Sequence, residues 1–413
     1  MWIVQLSVRN ALRNVRRSLL TAGTVIIGVA MYVLISSFIV GMFGNIFEES
    51  TLYIGHVRVA DPDFIEREQL QPLYEYVPDA AGVAAAIERD VEGARAYPII
   101  KTGMLVSVDD TIGDVFTLAT GVDEAWLTDE AGFREQLVAG EWPDFAAGEL
   151  LVGQRTAEQA GASVGDSLLL FGSTQDGAMS PMSGKVAGIV ASGLPAIDKQ
   201  VFASLQSLQY TLDIDDGALE VLVYGDDLHD DVALAAAIEG VPEAAGLQVQ
   251  PWSRRSPFDL SLGMTSVIQG LLVAILVFIT ALAIWNTMTM SVLERTSEIG
   301  VMRAMGLGRV TAVAMFVVEA LVIASVGGLI GLAVGSIPAL ALEHYGLNLG
   351  GDMIDSMDTG DLAMSARMYG DLTVSMLVQG YFVGLIMAVV GSFIPSLRAA
   401  SISPVTAMQG AHR

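Results

Sequence analysis

Four long apolar stretches dominate this chain of 413 residues. They cover residues 19–44, 263–290, 311–342 and 374–395. Each stretch is long enough to cross roughly 30 Å of hydrocarbon as a helix that rises about 1.5 Å per residue. Only 16% of the residues are charged, against about a quarter in soluble proteins, so we expect a membrane protein. The first stretch is too long for a cleavable signal peptide, and no small-residue cleavage site follows it.

A hydrophilic segment separates the first apolar stretch from the second. Residues 46–260 contain 11 Lys and Arg against 37 Asp and Glu, a net charge of −26, while the whole chain carries −25. The acidity therefore belongs to one soluble domain. Its charge disfavours nucleic acid and anionic lipid as partners and fits a solubilising surface. Because the chain has no cysteine, we expect this domain to fold on its own apolar core, as two subdomains, without disulfides.

The acidic domain mixes two periodicities. Short or alternating apolar runs predict strands in the segments that begin at Ser50, Gly103, Asp114, Gly148, Asp166, Gly184 and Ala218. Helical spacing predicts helices at 80–91, 155–162, 198–212 and 230–240. The last strand, the helix after it and the return GLQVQPW are typical of one βαβ unit. The domain is therefore expected to be α+β, and residues 251–260 are the linker to the second apolar stretch.

The short segments beside the apolar stretches differ in charge. Residues 1–17 contain four arginines and no acid, and residues 291–310 contain three arginines against two glutamates. The loop 343–372 contains one arginine and six acids. The positive-inside rule then predicts that both termini and 291–310 are cytoplasmic, with the acidic domain outside.

The fold class predicted is an α-helical membrane protein with four transmembrane helices plus a large α+β extracytoplasmic domain between the first and second spans. The opening MWIVQLSVRNALRNVRR has the spacing of an amphipathic interfacial helix, and a basic topology anchor is compatible with it. The predicted order is interfacial helix 1–18, transmembrane helix 19–45, extracytoplasmic domain 46–260, transmembrane helix 261–290, cytoplasmic segment 291–310, transmembrane helix 311–342, extracytoplasmic loop 343–372, transmembrane helix 373–395 and cytoplasmic tail 396–413.

Three short motifs suggest chemistry but lack the context that it needs. GASVG at 161–165 matches a nucleophile elbow, yet a helix is predicted before it and a strand after it, the reverse of what the elbow requires. Around Lys185, Met179 stands where a phosphate loop needs glycine. DIDDG at 213–217 lacks calcium-loop spacing, and the sequence has no His/Cys cluster with metal spacing. We therefore expect a non-catalytic chain with no metal or cofactor of its own.

Glycines recur every four residues in the last two apolar stretches. Such small faces let helices pack closely in lipid, either within one chain or between subunits. The glycines concerned are Gly327, Gly331 and Gly335 in the third stretch and Gly380 and Gly384 in the fourth.

Several motifs together resemble one family. RTSEIGVMRAMGLGRV from Arg295, with the glycine-rich stretch after it, resembles the E-I-G-x-x-R-A-x-G segment of the FtsX-like/MacB superfamily of ABC transporter permeases. IPSLRAASISPVTAMQ at 394–409 resembles its C-terminal ending, with Met408 at the usual Leu. RNALRNVRRSLLTAGTVIIGVA resembles its first span, and GELLVGQRTAEQAGASVGDSLLL its external domain. VAGIVASGLPAIDKQVFASLQSLQ is similar to the form usual in lipoprotein-releasing (LolC/LolE-type) permeases, whereas Thr296 departs from a commonly charged position.

This resemblance implies a MacB-type periplasmic core domain and a coupling helix at 291–310 that sits in a groove of a separate ATPase subunit. That partner would bind ATP and Mg. We expect an apolar ridge of Ile299, Met302 and Met305, with charges at its rim and a helix end at Gly306. A plain cytoplasmic hairpin is the alternative. The implied coupling residues are Arg295, Glu298, Ile299, Gly300, Met302, Arg303, Met305 and Gly306.

The resemblance also implies a task. We expect a multi-pass protein of the bacterial inner membrane, in a complex of two permease protomers, homo- or heterodimeric, and two ATPases. Mechanotransmission would release lipoproteins to a periplasmic carrier. Efflux with an adaptor, as in MacB-like permeases, and non-transporting regulation of a cell-wall hydrolase, as in FtsX-like proteins, are the alternatives. The 215-residue external domain favours transport, and a chain that starts at the membrane helix disfavours the efflux archetype with its fused ATPase.

A lipoprotein's acyl chains need an apolar cavity that opens to the outer leaflet. In this family the cavity lies between the first span of one protomer and the second span of the other, and methionine adapts to irregular chains. Contact with membrane lipid or with the chain's own bundle is the alternative. The expected cavity residues are Phe38, Ile39, Met42, Phe43, Met264, Val267 and Ile268.

Overall fold

The computed structural model describes residues 15–108, 111–348 and 367–401, together with Gln5, Arg9 and Arg13. Most of the predicted interfacial helix 1–18, much of the loop 343–372 and the tail beyond Ser401 lie outside these residues. The chain divides into two compact units. One holds residues 263–348 with the first and last parts of the chain, and the other holds residues 45–262.

The elements have the following bounds. The helices are α1 Val15–Ile54, α2 Pro62–Glu66, α3 Ala80–Asp90, α4 Gln154–Ala160, α5 Pro195–Asp198, α6 Leu205–Leu212, α7 Asp231–Ile238, α8 Phe258–Glu294, α9 Thr296–Ala304, α10 Arg309–Tyr345 and α11 Val374–Ser401. The strands are β1 Val57–Ala60, β2 Arg95–Val108, β3 Thr111–Val122, β4 Leu137–Gly140, β5 Glu149–Gly153, β6 Ser167–Ser173, β7 Met179–Val190, β8 Gln200–Ser204, β9 Glu220–Tyr224, β10 Gln248–Pro251, β11 Leu347–Asn348 and β12 Arg367–Met368.

Among the residues that the structure describes, four helices are long and apolar enough to cross a membrane: α1, α8, α10 and α11. They confirm the four predicted spans. Buried apolar side chains of all four helices form the core of this unit, among them Val25, Ile284, Ala324 and Met387. Of the four, α8 is the least enclosed by its neighbours.

Glycines bring α10 and α1 into close contact. One face of α10 carries Gly327, Gly331 and Gly335, which lie opposite Ala22, Ile26 and Ala30 of α1. A Cβ added to Gly335 would lie 2.7 Å from the Cα of Ala30. On α11, Gly380 packs against the ring of Tyr32 and Gly384 against Val29, both on α1. All five predicted packing glycines thus lie in contacts within this chain.

Residues 45–262 form a mixed sheet with packed helices. The strand order is β10-β1-β9-β2-β3-β8-β5-β7-β4, and β6 pairs with both β2 and β7. The 14-residue β2 joins the two halves, because its first part pairs with β9 and its second part pairs with β3 and β6. Alternate side chains of β2, including Ile100, Met104 and Val106, enter the core. The domain is one compact unit instead of the two subdomains expected.

The predicted βαβ unit is confirmed. Both β9 and β10 run antiparallel to β1, which lies between them, so that Val57 faces Val223 on one side and Pro251 on the other. β9 and β10 are therefore parallel to each other, and α7 connects them. A strand inserted between the two parallel strands makes this a split βαβ motif.

Two sequence predictions in this domain were wrong. The strand expected from Ser50 begins only at Val57, because α1 continues as helix to Ile54. The helix expected at 198–212 is broken by strand β8, which pairs with β3 in parallel and with β5 in antiparallel orientation. The side chains of Val201, Phe202 and Ala203 are all buried there, and such a short buried strand has no alternation to distinguish it from a helix.

A cluster of ion pairs lies beside the linker in this domain. Arg58 of β1 is only 2% exposed and donates both terminal nitrogens to the carboxylate of Glu68, at 2.7 and 2.9 Å. Arg255 of the linker donates to the same carboxylate at 2.9 Å. Glu220 of β9 lies 3.7 Å from each arginine. Burial raises the pKa of Glu68, but the hydrogen bonds and charges of the two arginines outweigh it and lower that pKa below its usual value.

Candidate coupling site

The segment between the second and third spans is a short helix with a defined start and end. Arg295 precedes the first helical residue of α9, and the Thr296 hydroxyl donates to the carbonyl of Val292 at 3.0 Å. At the other end, the N–H of Gly306 donates to the carbonyl of Arg303 and the N–H of Leu307 to that of Met302, both at 3.1 Å. This is a Schellman motif, and the φ of +100° at Gly306 explains why glycine stands there.

One face of α9 packs against its own bundle. Ile299 is only 2% exposed and lies in a cluster with Val292 of α8, Phe316 of α10 and Ala399 of α11, and Met302 packs partly against it. Gly300 is buried beside Ile299. The sequence prediction put Ile299 and Met302 on a ridge toward the ATPase. The structure corrects this prediction, because Ile299 and Met302 contact neighbouring helices of the same chain. An apolar residue packs against such helices as readily as against a partner subunit, so the sequence alone does not distinguish the two.

The opposite face of α9 is open. Met305 is 75% exposed and Val301 47% exposed, while Ser297 and Ala304 lie near them on the surface. Arg303 is partly buried. Of the expected ridge, only Met305 therefore stands on the accessible side, and Val301 joins it.

Glu298 is held in ion pairs within the chain. Its Oε1 accepts from Arg13 at 3.0 Å and its Oε2 from Nε of Arg295 at 3.2 Å. Burial raises the pKa of Glu298, but the hydrogen bonds and charges of Arg295 and Arg13 outweigh it and lower that pKa. Glu298 thus remains charged at neutral pH and ties the first turn of α9 to the residues before α1.

A second glutamate, which the sequence analysis did not single out, lies next to the ion pair of Glu298 and Arg295. Glu319 of α10 is 2% exposed, and its carboxylate accepts from Arg17 of α1 at 2.7 Å and from Arg295 at 3.2 Å. Arg17 also lies 3.9 Å from the carboxylate of Glu294. The signal was in the sequence, because Glu319 is the only charged residue of the stretch 311–342. Ionisable residues inside transmembrane helices are rare and usually functional.

The seven expected cavity residues fall into two groups. Met264, Val267 and Ile268 are exposed on α8, whereas Phe38, Met42 and Phe43 of α1 are partly buried and Ile39 is buried. The buried position of Ile39 corrects its expected place on an open cavity wall. A cavity of about 440 Å³ does open between α1, α8 and α11, but other residues line it: Tyr32, Ser266, Gln269, Gly270, Val273, Val378, Gln379, Phe382 and Val383.

The motifs set aside in the sequence occupy ordinary structural positions. Gly161 and Gly165 both have positive φ in the turn between α4 and β6. Lys185 lies within β7, and Asp213 caps the end of α6. At the surface, ligand oxygens of Asp61, Asp63 and Glu75 lie within 4.8 Å of one another. Asp61 already accepts from the N–H of Asp63 at the start of α2, so we read this group as an acidic surface turn.

Two family models match the chain in succession. The MacB-like periplasmic core domain matches residues 18–242, and the FtsX-like permease C-terminal matches residues 270–404. The first alone covers more than half of the chain. The chain therefore belongs to the MacB/FtsX family of ABC transporter permeases. It is a multi-pass membrane protein whose domain between the first and second spans is extracytoplasmic.

Individual relatives differ in how much they share with this chain. The lipoprotein-releasing system transmembrane protein LolC of Xylella fastidiosa is 24% identical over 80% of this chain and 78% of its own length. An uncharacterized ABC transporter permease of Methanocaldococcus jannaschii is 29% identical over 36% of this chain and 34% of its own length. The macrolide export ATP-binding/permease protein MacB of Nitrobacter winogradskyi is 26% identical over 35% of this chain, and the match spans only 19% of that protein.

Solved structures are similar to this chain only at low scores. The periplasmic region of MacB from Actinobacillus actinomycetemcomitans aligns with a TM-score of 0.35 at 9% identity, over 47% of this chain and 87% of that one. The extracellular domain of the transporter YknZ aligns with a TM-score of 0.31 at 15% identity, over 47% and 97%. At such scores the family models, and not these structures, carry the assignment.

Proposed function

We propose that this chain is the non-catalytic membrane subunit of an ABC complex and couples ATP hydrolysis by a separate ATPase subunit to work outside the membrane. The observation that carries this proposal is that one side of α9 is packed within the chain while the opposite side is exposed. Its inner side is fixed by Ile299 and Glu298, and its outer side presents Val301 and Met305. A helix anchored on one side can pass a displacement of its partner to the spans behind it.

The same proposal requires one orientation in the bacterial inner membrane. The arginine counts support this orientation, because the positive-inside rule predicts that α9 and both termini are cytoplasmic. Because the chain has no cysteine, single cysteines at Met305 and Tyr210, both well exposed, report the side directly. An impermeant thiol reagent on intact spheroplasts should label position 210 only. Labelling at 305 but not at 210 would reverse the orientation and remove α9 from the ATPase side.

We further propose that the substrate is a lipoprotein, taken from the membrane in a complex of two permease protomers and handed to a periplasmic carrier. The similarity to LolC, which extends over most of both chains, supports this choice. So does the apolar surface of α8, where Val267 is 69% exposed. Acyl chains could enter between that surface and the first span of a second protomer, which would be a copy of this chain or a homologue.

A photocrosslinking residue at Val267 tests the substrate in cells. Adducts with triacylated lipoproteins are expected there, and fewer at Leu329, an exposed position of α10 that serves as a lipid-facing control. Position Ile39 should give neither adduct, because it is buried. Phospholipid adducts alone at 267, together with an intact adaptor or cell-wall hydrolase complex, would reject lipoprotein release in favour of efflux or mechanical signalling.

A further inference from the structure

Both carboxylate oxygens of Glu319 accept hydrogen bonds from arginines of two different segments, α1 and the connection between α8 and α9. Oε1 accepts from Arg17 at 2.7 Å, and Oε2 accepts from Arg295 at 3.2 Å. The side chains of both arginines are also largely buried, at 13% and 14% exposure. Glu319 is therefore the point at which α1, the start of α9 and α10 are joined by charge.

The ion pairs continue from this point to the surface. Arg295 donates through its Nε to Glu298, and Glu298 in turn accepts from Arg13. Arg17 reaches Glu294 at the end of α8 at 3.9 Å. The set holds three arginines and three glutamates, so its formal charge is balanced. The network connects the residues before α1, the end of α8, the start of α9 and a point in the first half of α10.

Such a network is a poor way to gain stability. Desolvation of buried charges often cancels their attraction, and apolar residues of similar size frequently serve as well. Its advantage is geometric, since two hydrogen bonds of fixed direction define where a helix lies, whereas apolar contacts tolerate sliding. Ten residues separate Arg309 from Glu319, which places the carboxylate about 15 Å along α10. The start of α9 is thus fixed against a point well inside the third span.

We propose that Glu319 is a positioning residue for coupling: it holds Arg295, and through it α9, in register with α1 and α10, so that a force on α9 reaches both spans. This inference rests on the proposed role of α9 as the ATPase contact. Glu319 itself is buried and does not face the outer side that carries Val301 and Met305. Its loss should leave that surface present but no longer fixed to the spans.

Glu319→Gln tests the register directly, with Glu343→Gln as the matched control because Glu343 is an exposed glutamate near the other end of the same helix. Hydrogen exchange is measured on the full-length permease in nanodiscs. We expect the amides of 299–304 to exchange on the order of tenfold faster in Glu319→Gln and unchanged in the control. Unchanged exchange in Glu319→Gln would overturn the proposal, whatever the ATPase does.

A second variant separates positioning from mere stability. Arg17→Met with Glu319→Met removes one charge of each sign and leaves Arg295 paired with Glu298. Apolar replacement should keep the thermal midpoint near that of the parent chain. We expect the ATPase to co-purify while its stimulated turnover falls by about tenfold, since contact without register cannot transmit force. Full stimulation at full stability would reduce Glu319 to a structural residue and overturn the proposal.

The two measurements also distinguish this inference from the proposed function. If the parent chain neither binds nor stimulates an ATPase, the coupling role fails, yet hydrogen exchange in nanodiscs still reports whether Glu319 fixes α9. If the parent chain does stimulate an ATPase and Glu319→Gln changes neither exchange nor turnover, the coupling role stands and the positioning role of Glu319 fails.

Discussion

The Cα of Ala30 lies only 2.7 Å from the point at which a Cβ on Gly335 would stand. The obstacle is backbone, which cannot rotate away as a side chain can. Gly335→Ala should therefore push α10 from α1 and lower the free energy of unfolding by about 1–3 kcal/mol. Thermal unfolding in detergent measures the loss. Gly23→Ala, where nothing lies within 4 Å, should not destabilise, and equal midpoints for both variants would contradict the close contact.

The outer face of α9 should be separable from its inner face by mutation. We expect Met305→Asp and Val301→Asp to weaken co-purification of the ATPase by about tenfold, because they place charge in an apolar contact. Their effect on the permease should stay within roughly 0.5 kcal/mol, as for other surface changes. Ile299→Asp should instead destabilise the permease itself by about 3 kcal/mol or more, since it buries an unpaired carboxylate.

The opposite result would be equally clear. If Ile299→Asp left the thermal midpoint unchanged but abolished ATPase binding, Ile299 would face the partner as the sequence had suggested.

Glu298→Lys is expected to uncouple the complex, because it puts a third cation beside Arg13 and Arg295. Unchanged turnover in that variant would show that the ion pairs of Glu298 do not contribute to coupling.

Glu68 should stabilise the extracytoplasmic domain. It is the carboxylate shared by the buried Arg58 and Arg255, so Glu68→Gln leaves two guanidinium groups poorly compensated. Breaking a fully buried pair costs roughly 3–5 kcal/mol, and we expect about 2 kcal/mol here because Glu68 is itself partly exposed. Glu66→Gln, an exposed neighbour, is the control. Chemical denaturation followed by tryptophan fluorescence reports the difference, and no difference would mean that solvent already compensates the arginines.

His56 predicts a pH dependence of stability. Its Nδ1 accepts from the N–H of Gly225 at 3.1 Å, which requires the neutral ring. Burial, more than any nearby charge, lowers the pKa of His56 below its usual 6.5. The unfolded chain therefore takes up a proton at higher pH than the folded one. The contribution of neutral His56 to the stability of the folded domain is therefore complete above pH 6.5, and it is lost as the pH falls toward the lowered pKa.

The measurement compares thermal midpoints at neutral and at mildly acidic pH. The parent chain should lose more stability on acidification than His56→Asn does. His229→Asn should behave as the parent chain, because the side chain of His229 is 87% exposed on the surface. Parallel losses in all three proteins would assign the pH dependence to other groups.

The sequence predicted the four spans and the acidic α+β domain because hydropathy and charge are properties of segments, and segments of 20 or more residues carry a strong signal. It did not predict which side of α9 is covered by the chain's own helices. Ile299, Val301, Met302 and Met305 are all apolar, and only the positions of α8, α10 and α11 decide which of them are covered. Strand β8 was missed for a related reason, since its three central residues, Val201, Phe202 and Ala203, are apolar and buried on both faces of the sheet.

Glu319 was missed because its partners are distant in sequence. In the sequence, Arg17 is explained as a topology charge, and Arg295 as a topology charge and a coupling residue, each from its own segment. Only the packing of three helices shows that both point to one carboxylate. The sequence did contain an anomaly, an isolated acid in an otherwise apolar span, but it could not show which residues neutralise it.

The order in which these three residues occur in the chain matters for biogenesis. Arg17 and Arg295 are both synthesised before Glu319, so both cations are already made when the third span leaves the ribosome. A carboxylate that enters the bilayer alone costs about 2.5–3.5 kcal/mol at the middle of a helix during insertion. In this chain the counterions of Glu319 lie on segments that are synthesised earlier, so they are present when the third span inserts. The membrane region is therefore expected to complete its assembly around α10. The connection before α9 gains its ion pair with Glu319 only when that span has inserted.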